Sequence, residues 1–333
     1  FGRGENDNTP YGGYYTKEEL KDIVKYCEER YIEVIPEFDF PGHTTAVISA
    51  YPELCCTGEK IELKTTAGVF KDILCVGNPE TLKLIYAVVD EFCEIFPSKY
   101  FHIGGDEAPK TRWLNCPKCK AKLQEEGLHT MDELQGWLVN EVAGYLKKKG
   151  RKAICWNESL NGGNLDKDNI TVALWTNKMD KGVEWANGGN PVIMEKFTPY
   201  YVDYPYGMHT LKDVYMFNPK KVRGLTSLGA ASIKGVESPI WTEYVRDFRK
   251  MSYMCFPRWL AVAETGWNGV NAKGYQSFLK SAEFYSDILK GMGHNPAPKS
   301  EWNVAPHTRL NKTVGFFKNS LTTQMIKDYF KKD

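Results

Sequence analysis

A parallel α/β barrel of the TIM, or (β/α)8, type is the fold this sequence predicts, on three observations. Short β-branched runs alternate with longer amphipathic stretches, as strands joined by crossover helices do. Several runs end in polar, aromatic or glycine-rich segments, namely DFPGH, GGDE, WNE, WTN and WTE. Barrels of this class carry their chemistry where strands run out into loops. A doubly wound sheet is the alternative, but its phosphate fingerprints are missing from the sequence: there is no G-x-G-x-x-G, G-x-x-x-x-G-K-[ST] or G-x-S-x-G.

The elements follow in order. Phe1 to Tyr15, rich in Gly, Asn and Asp, reads as loop. Thr16 and Glu19 form a capping box for a helix from Lys17 to about Arg30, with Leu20, Ile23, Val24 and Cys27 on one face. Ile32–Phe38 reads as a buried strand ending at Pro41-Gly42. Glu80–Phe96 is helical by period and Tyr100–Gly104 is a strand. Thr130 and Glu133 box a helix running to Lys149, with Gly150 as its C′ residue. Lys152–Trp156, Ile170–Trp175 and Pro191–Glu195 are strands, with a short helix at Lys181–Asn187. Lys234–Trp241 is a final strand, and Glu243 to about Thr265 is a long helix kinked at Pro257. Tyr200–Tyr204 is a weaker strand candidate. Six strands are thus expected where a closed barrel has eight. A catalytic barrel is placed at residues 1–291. Residues 292–333 form a C-terminal extension with a Pro-rich connector and a short helix at Leu321–Asp333.

Composition narrows the class of function. The chain has 333 residues, 42% of them hydrophobic, and 43 basic against 42 acidic side chains. That balance argues against a nucleic acid or a membrane surface as partner. No apolar run reaches the roughly 18 residues of a transmembrane helix. Aromatic residues make up 13%, a level that suits sugar-binding clefts as well as cores. The nine cysteines, an odd number, leave at least one unpaired within the chain.

The strongest local signal is His102-Ile103-Gly104-Gly105-Asp106-Glu107. Two glycines admit a ligand close to the backbone, and two adjacent carboxyls repel each other and push one pKa up. A raised carboxyl pKa suits a general acid near neutral pH. The plainer alternative is a loop bearing two solvated acids. Two-carboxylate glycosidases need groups about 5–5.5 Å or 6.5–9.5 Å apart across the scissile bond. Neighbouring residues of extended chain point to opposite faces, so Asp106 is poorly placed as a nucleophile opposing Glu107. The second signal is aromatic. Trp156, Trp175 and Trp241 sit at or near predicted strand ends, where three indoles suit a sugar ring or an acetyl methyl. Core packing is the alternative for each. Tyr201 and Asp203 share one side of an extended segment, and His43 follows Pro41-Gly42 as a functional or packing histidine.

Cys116-Pro117-Lys118-Cys119 is a C-x-x-C half site. Zinc ribbons need a second pair at defined spacing, and none follows. Cys55-Cys56 and Cys155 do not supply it, so a local disulfide or loop feature is the reading, with zinc the lesser option. A metal-dependent hydrolase using Asp39, His43, His102 and Asp106 finds no H-x-H or H-E-x-x-H in support. No metal and no cofactor are expected.

The stretches YYTKEELKDIVKYCEERYIEVIPEFDFPGH, FHIGGDE, ICWNE, ALWTN, YYVDYPYG and ESPIWTEYV together resemble the family 20 glycoside hydrolases, the β-N-acetylhexosaminidases. They occur in family order from about Tyr14 to Trp267. The resemblance implies a (β/α)8 barrel and an exo-acting, retaining enzyme that removes terminal β-linked GlcNAc or GalNAc from glycans or chitooligosaccharides. It implies an oxazolinium intermediate formed by the substrate's own acetamide. Glu107 would be the acid and then the base. Asp106 would orient the acetamido group, and Tyr201 would donate to its oxygen. Trp156, Trp175 and Trp241 would enclose its methyl, Asp203 and Glu243 would bind sugar hydroxyls, and His43 would support the acid pair. Family members also carry an Arg on the first barrel strand and an Asp in the segment of the second. Arg3 has the wrong context to replace that Arg, so the first two strands are expected to be missing. A homo-oligomer or another segment would then cover the open barrel, and a non-catalytic sugar-binding remnant is the alternative function. The resemblance also implies an extracytoplasmic or lysosomal-type location. Sequons at Asn157, Asn169 and Asn311 bear on it only weakly.

Overall fold

The computed structural model describes residues 12–64, 68–270 and 274–320. The segment read as a terminal helix, 321–333, lies outside them, as does Arg3. The chain forms two compact units, one built mainly from residues 7–173 and one from 174 onward.

The first unit contains the parallel strands β1 (Tyr100–His102), β2 (Lys152–Trp156) and β3 (Ile170–Leu174), of which Leu174 begins the second unit. β1 pairs with β2 in the register Tyr100↔Lys152, and β2 pairs with β3 from Ala153↔Ile170 to Trp156↔Ala173. The ladder continues past β1, where Ile103 N–H donates to Ile154 O at 2.8 Å and Trp156 N–H to Gly104 O at 2.9 Å. Helices cover it with residues spaced three and four apart. Pro79–Ile95 buries Thr81, Ile85 and Val89, and Met131–Lys148 buries Leu134, Leu138, Val142 and Leu146.

Local chemistry sets the helix ends. Thr16 and Glu19 make the expected reciprocal capping box before Lys17–Glu28. Thr130 Oγ1 accepts from Glu133 N–H at 3.1 Å, but the Glu133 carboxylate turns to His129 N–H at 2.7 Å, so that box is not reciprocal. Gly150, at φ +72°, ends this helix as read. On the first helix Leu20 and Val24 pack against Phe92, Ile95 and Phe96, while Ile23, expected on the same face, is exposed. Asn169, in one of the sequons, is buried and donates to Ala143 O at 2.8 Å.

The strand expected at Ile32–Phe38 is reduced to a parallel bridge, Glu37↔His102. His102 N–H donates to Pro36 O at 2.9 Å and Phe38 N–H to His102 O at 3.0 Å. Pro36 has no N–H of its own, so the ladder cannot extend through it.

The second unit holds β4 (Val192–Met194) and β5 (Ile233–Val236), parallel, with an irregularity after Val192. β5 stops well short of Trp241, where the strand was expected to end. The long helix expected from Glu243 is two helices, Phe248–Cys255 and Arg258–Asn268, separated at Pro257. Tyr200–Tyr204, the weak strand candidate, is not a strand: Tyr200 ends the short helix Phe197–Tyr200 and Val202–Asp203 form a turn. Tyr200, Tyr206, Leu211, Tyr215, Phe278, Ala297 and Trp302 share one core here. These elements, with the solved structures described below, define the (β/α)8-type barrel class, and five strands fall among the described residues.

One buried cation organises the turn of the second unit. Arg258 is wholly inaccessible. It donates to Met254 O at 3.0 Å, Tyr204 O at 2.8 Å and His209 O at 3.0 Å, and also to Val202 O. Its guanidinium lies 4.0 Å from the Tyr206 ring centroid. A lysine cannot reproduce this planar fork. Arg258→Lys should therefore lower stability by about 3 kcal/mol, read as a fall in the urea midpoint. An unchanged midpoint would contradict this role.

Candidate active site

In the first unit β1 delivers the acid pair through two glycines in unusual backbone conformations, Gly104 at φ +66° and Gly105 at φ +104°. A Cβ on Gly104 would overlap the Asp39 carboxylate, and one on Gly105 would overlap Ser159 Oγ. Asp39 accepts from Gly105 N–H at 3.1 Å. On the other side Gln135 Nε2 donates to Gly105 O at 2.6 Å. Lys110 Nζ donates to Ala108 O at 2.7 Å and also to Gln135 Oε1. The turn bearing Asp106 and Glu107 is thus clamped from both faces.

His43 bridges the two acids, with Nε2 3.5 Å from Asp106 Oδ2 and 3.4 Å from Glu107 Oε2. Its hydrogen bonds to Asp106 and Glu107 push its pKa up to about 11. Asp39 is hydrogen-bonded to Asp106, and burial first, then the Asp106 charge, pushes it up to about 9. Asp39 is therefore a third carboxyl of this cluster, which the sequence suggested only as a ligand in the disfavoured metal-hydrolase reading and not as a neighbour of the acid pair. Asp106 Oδ1 is buried with no hydrogen-bond partner among the described residues. The side chain of Asp106 is 14% exposed and that of Glu107 36%, so Glu107 is the more open of the two. His43 (φ +52°) and Glu107 (φ +42°) both hold left-handed conformations that such residues rarely adopt.

Trp156, the last residue of β2, donates its indole N–H to Glu37 Oε1 at 3.1 Å. The same Glu37 oxygen lies 3.0 Å from His102 Nδ1, and the His102 and Trp156 rings are 4.5 Å apart. Asp39, His43 and Asp106 also present ligand atoms within 4.8 Å of one another.

In the second unit Trp175 follows β3 directly and stacks on Tyr201, ring centroids 5.8 Å apart at 30°. Phe197 packs on Tyr201 at 5.0 Å. Asp203 is buried, and burial, then the charge of Glu243, raises its pKa to about 7. The backbone of Trp241 hydrogen-bonds Asp203. Trp241 itself is 40% exposed, and Glu243 is exposed. The three tryptophans therefore differ in setting: Trp156 closes a strand, Trp175 follows one, and Trp241 lies in the turn beyond β5.

The sequence reading also missed the partners of Cys116 and Cys119. The second pair exists, but it lies upstream as Cys56 and Cys75, not as a C-x-x-C downstream. No disulfide joins Cys116 to Cys119, since both are free thiols.

The catalytic-domain profile of glycosyl hydrolase family 20 matches residues 2–270, and the chain belongs to that family. It is 36% identical over 293 residues to a β-hexosaminidase of Porphyromonas gingivalis, covering 84% of this chain and 37% of that protein. It is 32% identical over 319 residues to a β-hexosaminidase of Akkermansia muciniphila, covering 89% and 64%. The chain thus spans less than two thirds of either relative's length. A β-N-acetylhexosaminidase structure from Bacteroides fragilis superposes with a TM-score of 0.73 at 33% identity, covering 87% of this chain and 60% of that one. A family 20 exo-β-N-acetylglucosaminidase from Vibrio harveyi, in complex with N-acetylglucosamine, gives 0.76 at 27% identity, covering 88% and 47%. No helix among the described residues is long and apolar enough to cross a membrane.

Gly104→Ala should cost far more stability than Gly58→Ala. Gly58 also has positive φ, but a Cβ there meets nothing within 4 Å. The Gly58 change should cost about 1 kcal/mol in urea unfolding, and equal losses would refute the close-approach argument. The pKa of His43 rises from 6.5 to about 11 on folding. Between those values the folded chain binds more protons than the unfolded chain, so the contribution is full below pH 6.5 and fades as pH rises through about 11. His43→Gln should therefore destabilise more at about pH 6 than at about pH 10. A pH-independent difference in midpoint would contradict it.

Proposed function

We propose that this chain is the catalytic barrel of an exo-acting, retaining β-N-acetylhexosaminidase that cleaves terminal β-linked GlcNAc or GalNAc with help from the substrate's acetamide. One observation carries the reading. Asp106 and Glu107 are adjacent on a clamped strand-end turn and share His43, an arrangement that suits one acid and one orienting carboxylate rather than an acid facing a nucleophile. Substrate assistance is a known property of family 20 and an exception to the two-carboxylate scheme.

In this reading Glu107, the more open carboxyl, gives its proton to the leaving glycosidic oxygen. It then takes one from the water that opens the intermediate. Asp106 accepts the acetamide N–H on its partnerless, buried Oδ1. That contact turns the acetamide oxygen toward the anomeric carbon and stabilises the positive charge growing on the ring. The His43 cation offsets the repulsion between the two neighbouring acids. Tyr201 donates to the acetamide oxygen, and Trp156, Trp175 and Trp241 offer apolar faces to its methyl. Asp203 and Glu243 accept from sugar hydroxyls. The substrates proposed are N-acetylhexosamine-terminated glycans or chitooligosaccharides, met outside the cytoplasm.

The test uses an aryl β-GlcNAc substrate and the matching aryl β-glucoside. Glu107→Gln should lower kcat at least about 100-fold. Asp106→Asn should slow GlcNAc turnover by a similar factor, because the acetamide loses its orienting charge. Unchanged turnover in Glu107→Gln would remove the acid assignment. Equal rates on the plain glucoside would remove substrate assistance. Binding of GlcNAc without turnover by the whole protein would mark a sugar-binding barrel instead.

A further inference from the structure

The structure assigns a tetrathiolate zinc site to Cys56, Cys75, Cys116 and Cys119 in the first unit, apart from the acid pair. All four Sγ atoms lie within 4.8 Å of one another. The closest pairs are Cys75–Cys116 at 3.7 Å, Cys75–Cys119 at 3.7 Å and Cys56–Cys119 at 3.8 Å. A tetrahedral Zn–S4 centre with bonds of about 2.3 Å has S···S edges of about 3.8 Å. A disulfide needs about 2.05 Å, so the thiols are spaced for a common ligand rather than for each other.

The backbone around them is organised to present sulfur. Cys55 and Leu74 form an antiparallel bridge, and Cys75 N–H donates to Leu54 O at 2.7 Å. That pairing brings Cys56 and Cys75 together across a long stretch of chain. Cys116 is the N-cap of helix Pro117–Glu125, which places Cys119 in its first turn, where the dipole favours a thiolate. Gly77 passes against the backbone of Lys118 and Cys119, and a Cβ there would overlap Lys118. Its N–H hydrogen-bonds the Cys119 sulfur. Trp113 Nε1 donates to Leu74 O at 2.9 Å, and Arg112 pairs with Asp72 at 2.9 Å, closing the segments on one another. Cys75, Cys116 and Cys119 are buried.

Four ligands from the protein fill a tetrahedral ion completely, which makes the site structural and not catalytic. An all-sulfur tetrahedral set fits zinc or iron, and closed sites that only fix a loop favour redox-inert zinc. Neutral thiols packed as small apolar groups are the competing explanation.

The test is metal content of the full chain purified without added metal or chelator. Elemental analysis should find about one zinc per chain. Titration with a mercurial thiol reagent should release that zinc as four thiols react. Cys119→Ser and Cys116→Ser should lower zinc at least about ten-fold, while Cys55→Ser and Asp106→Asn keep it. The last variant separates this site from the Asp39, His43 and Asp106 cluster, and the result is independent of hydrolytic activity. Should the serine variants fail to fold, cobalt exchanged into the unmodified chain must give the absorption of a tetrahedral tetrathiolate. A metal-free chain that takes up no zinc, a disulfide among the four cysteines, bound iron, or zinc retained by Cys119→Ser would each overturn the assignment.

Discussion

The Asp39 carboxyl occupies the space that a side chain on Gly104 would fill, and the geometry of the acid pair depends on that contact. Gly104 and Gly105 must turn with positive φ so that the chain passes over Asp39, and only then does Gly105 N–H meet its oxygen at 3.1 Å. The turn brings Asp106 alongside both Asp39 and His43. Three carboxyl groups and one imidazole then share a small volume. Burial makes it costly to ionise Asp39, and proximity to two acids makes it costly to discharge His43. The proton held high on Asp39 and the cation on His43 are consequences of the same crowding.

The second unit solves a similar problem with a cation. Residues 202–209 form an irregular turn whose carbonyl groups point inward, where unpaired acceptors cost free energy. Arg258 satisfies them from the helix beneath, and it also lies near buried Asp203. Thus one guanidinium both completes the backbone bonding of the turn and tempers the charge of a carboxyl proposed to bind sugar. The neighbouring His209 is driven the other way: burial lowers its pKa to about 4, and its Nδ1 pairs with Tyr201 O at 2.7 Å. Tyr201 is therefore held through its backbone by a neutral imidazole and through its ring by Trp175 and Phe197.

The parts of this architecture carried by local pattern were legible in the sequence. Helix ends with Thr16 or Gly150, strands around 100, 152 and 170, and the acid pair after two glycines all follow from nearest-neighbour chemistry. What failed depended on a proline inside a strand-like run or on distant partners. β5 was read through to Trp241, but Pro239 offers no N–H to a ladder, and Ser238 Oγ turns aside to Tyr200 O at 2.6 Å. Asp39 within DFPGH was weighed only as a metal ligand, because its packing against Gly104 is a contact between distant segments. Arg258 carries no local signal, since helical spacing does not announce a buried turn waiting for a donor. The cysteine set was hidden for the same reason: Cys56 and Cys75 become neighbours only through the Cys55–Leu74 bridge.

That cysteine cluster bears on the acids through backbone alone. Left-handed φ at a residue such as His43 or Glu107 costs about 1–3 kcal/mol and persists only where surroundings enforce it. For His43 the enforcement comes from both sides. Gly42 packs on the carbonyls of Asp106 and Glu107, and Pro41 O accepts Leu74 N–H at 3.1 Å. Leu74 precedes Cys75, and Cys116 and Cys119 follow Glu107 in the chain across the short helix Thr111–Asn115. A zinc ion on the four thiols would therefore fix the outer ends of the two segments whose inner ends carry His43 and Glu107. Among the described residues from Tyr51 to Asn78, regular secondary structure is limited to a short 3-10 turn at Pro52–Leu54 and the Cys55–Leu74 bridge. A metal cross-link would add to the bonds Leu74 makes with Pro41 and Trp113, and so help to keep two strained residues in register.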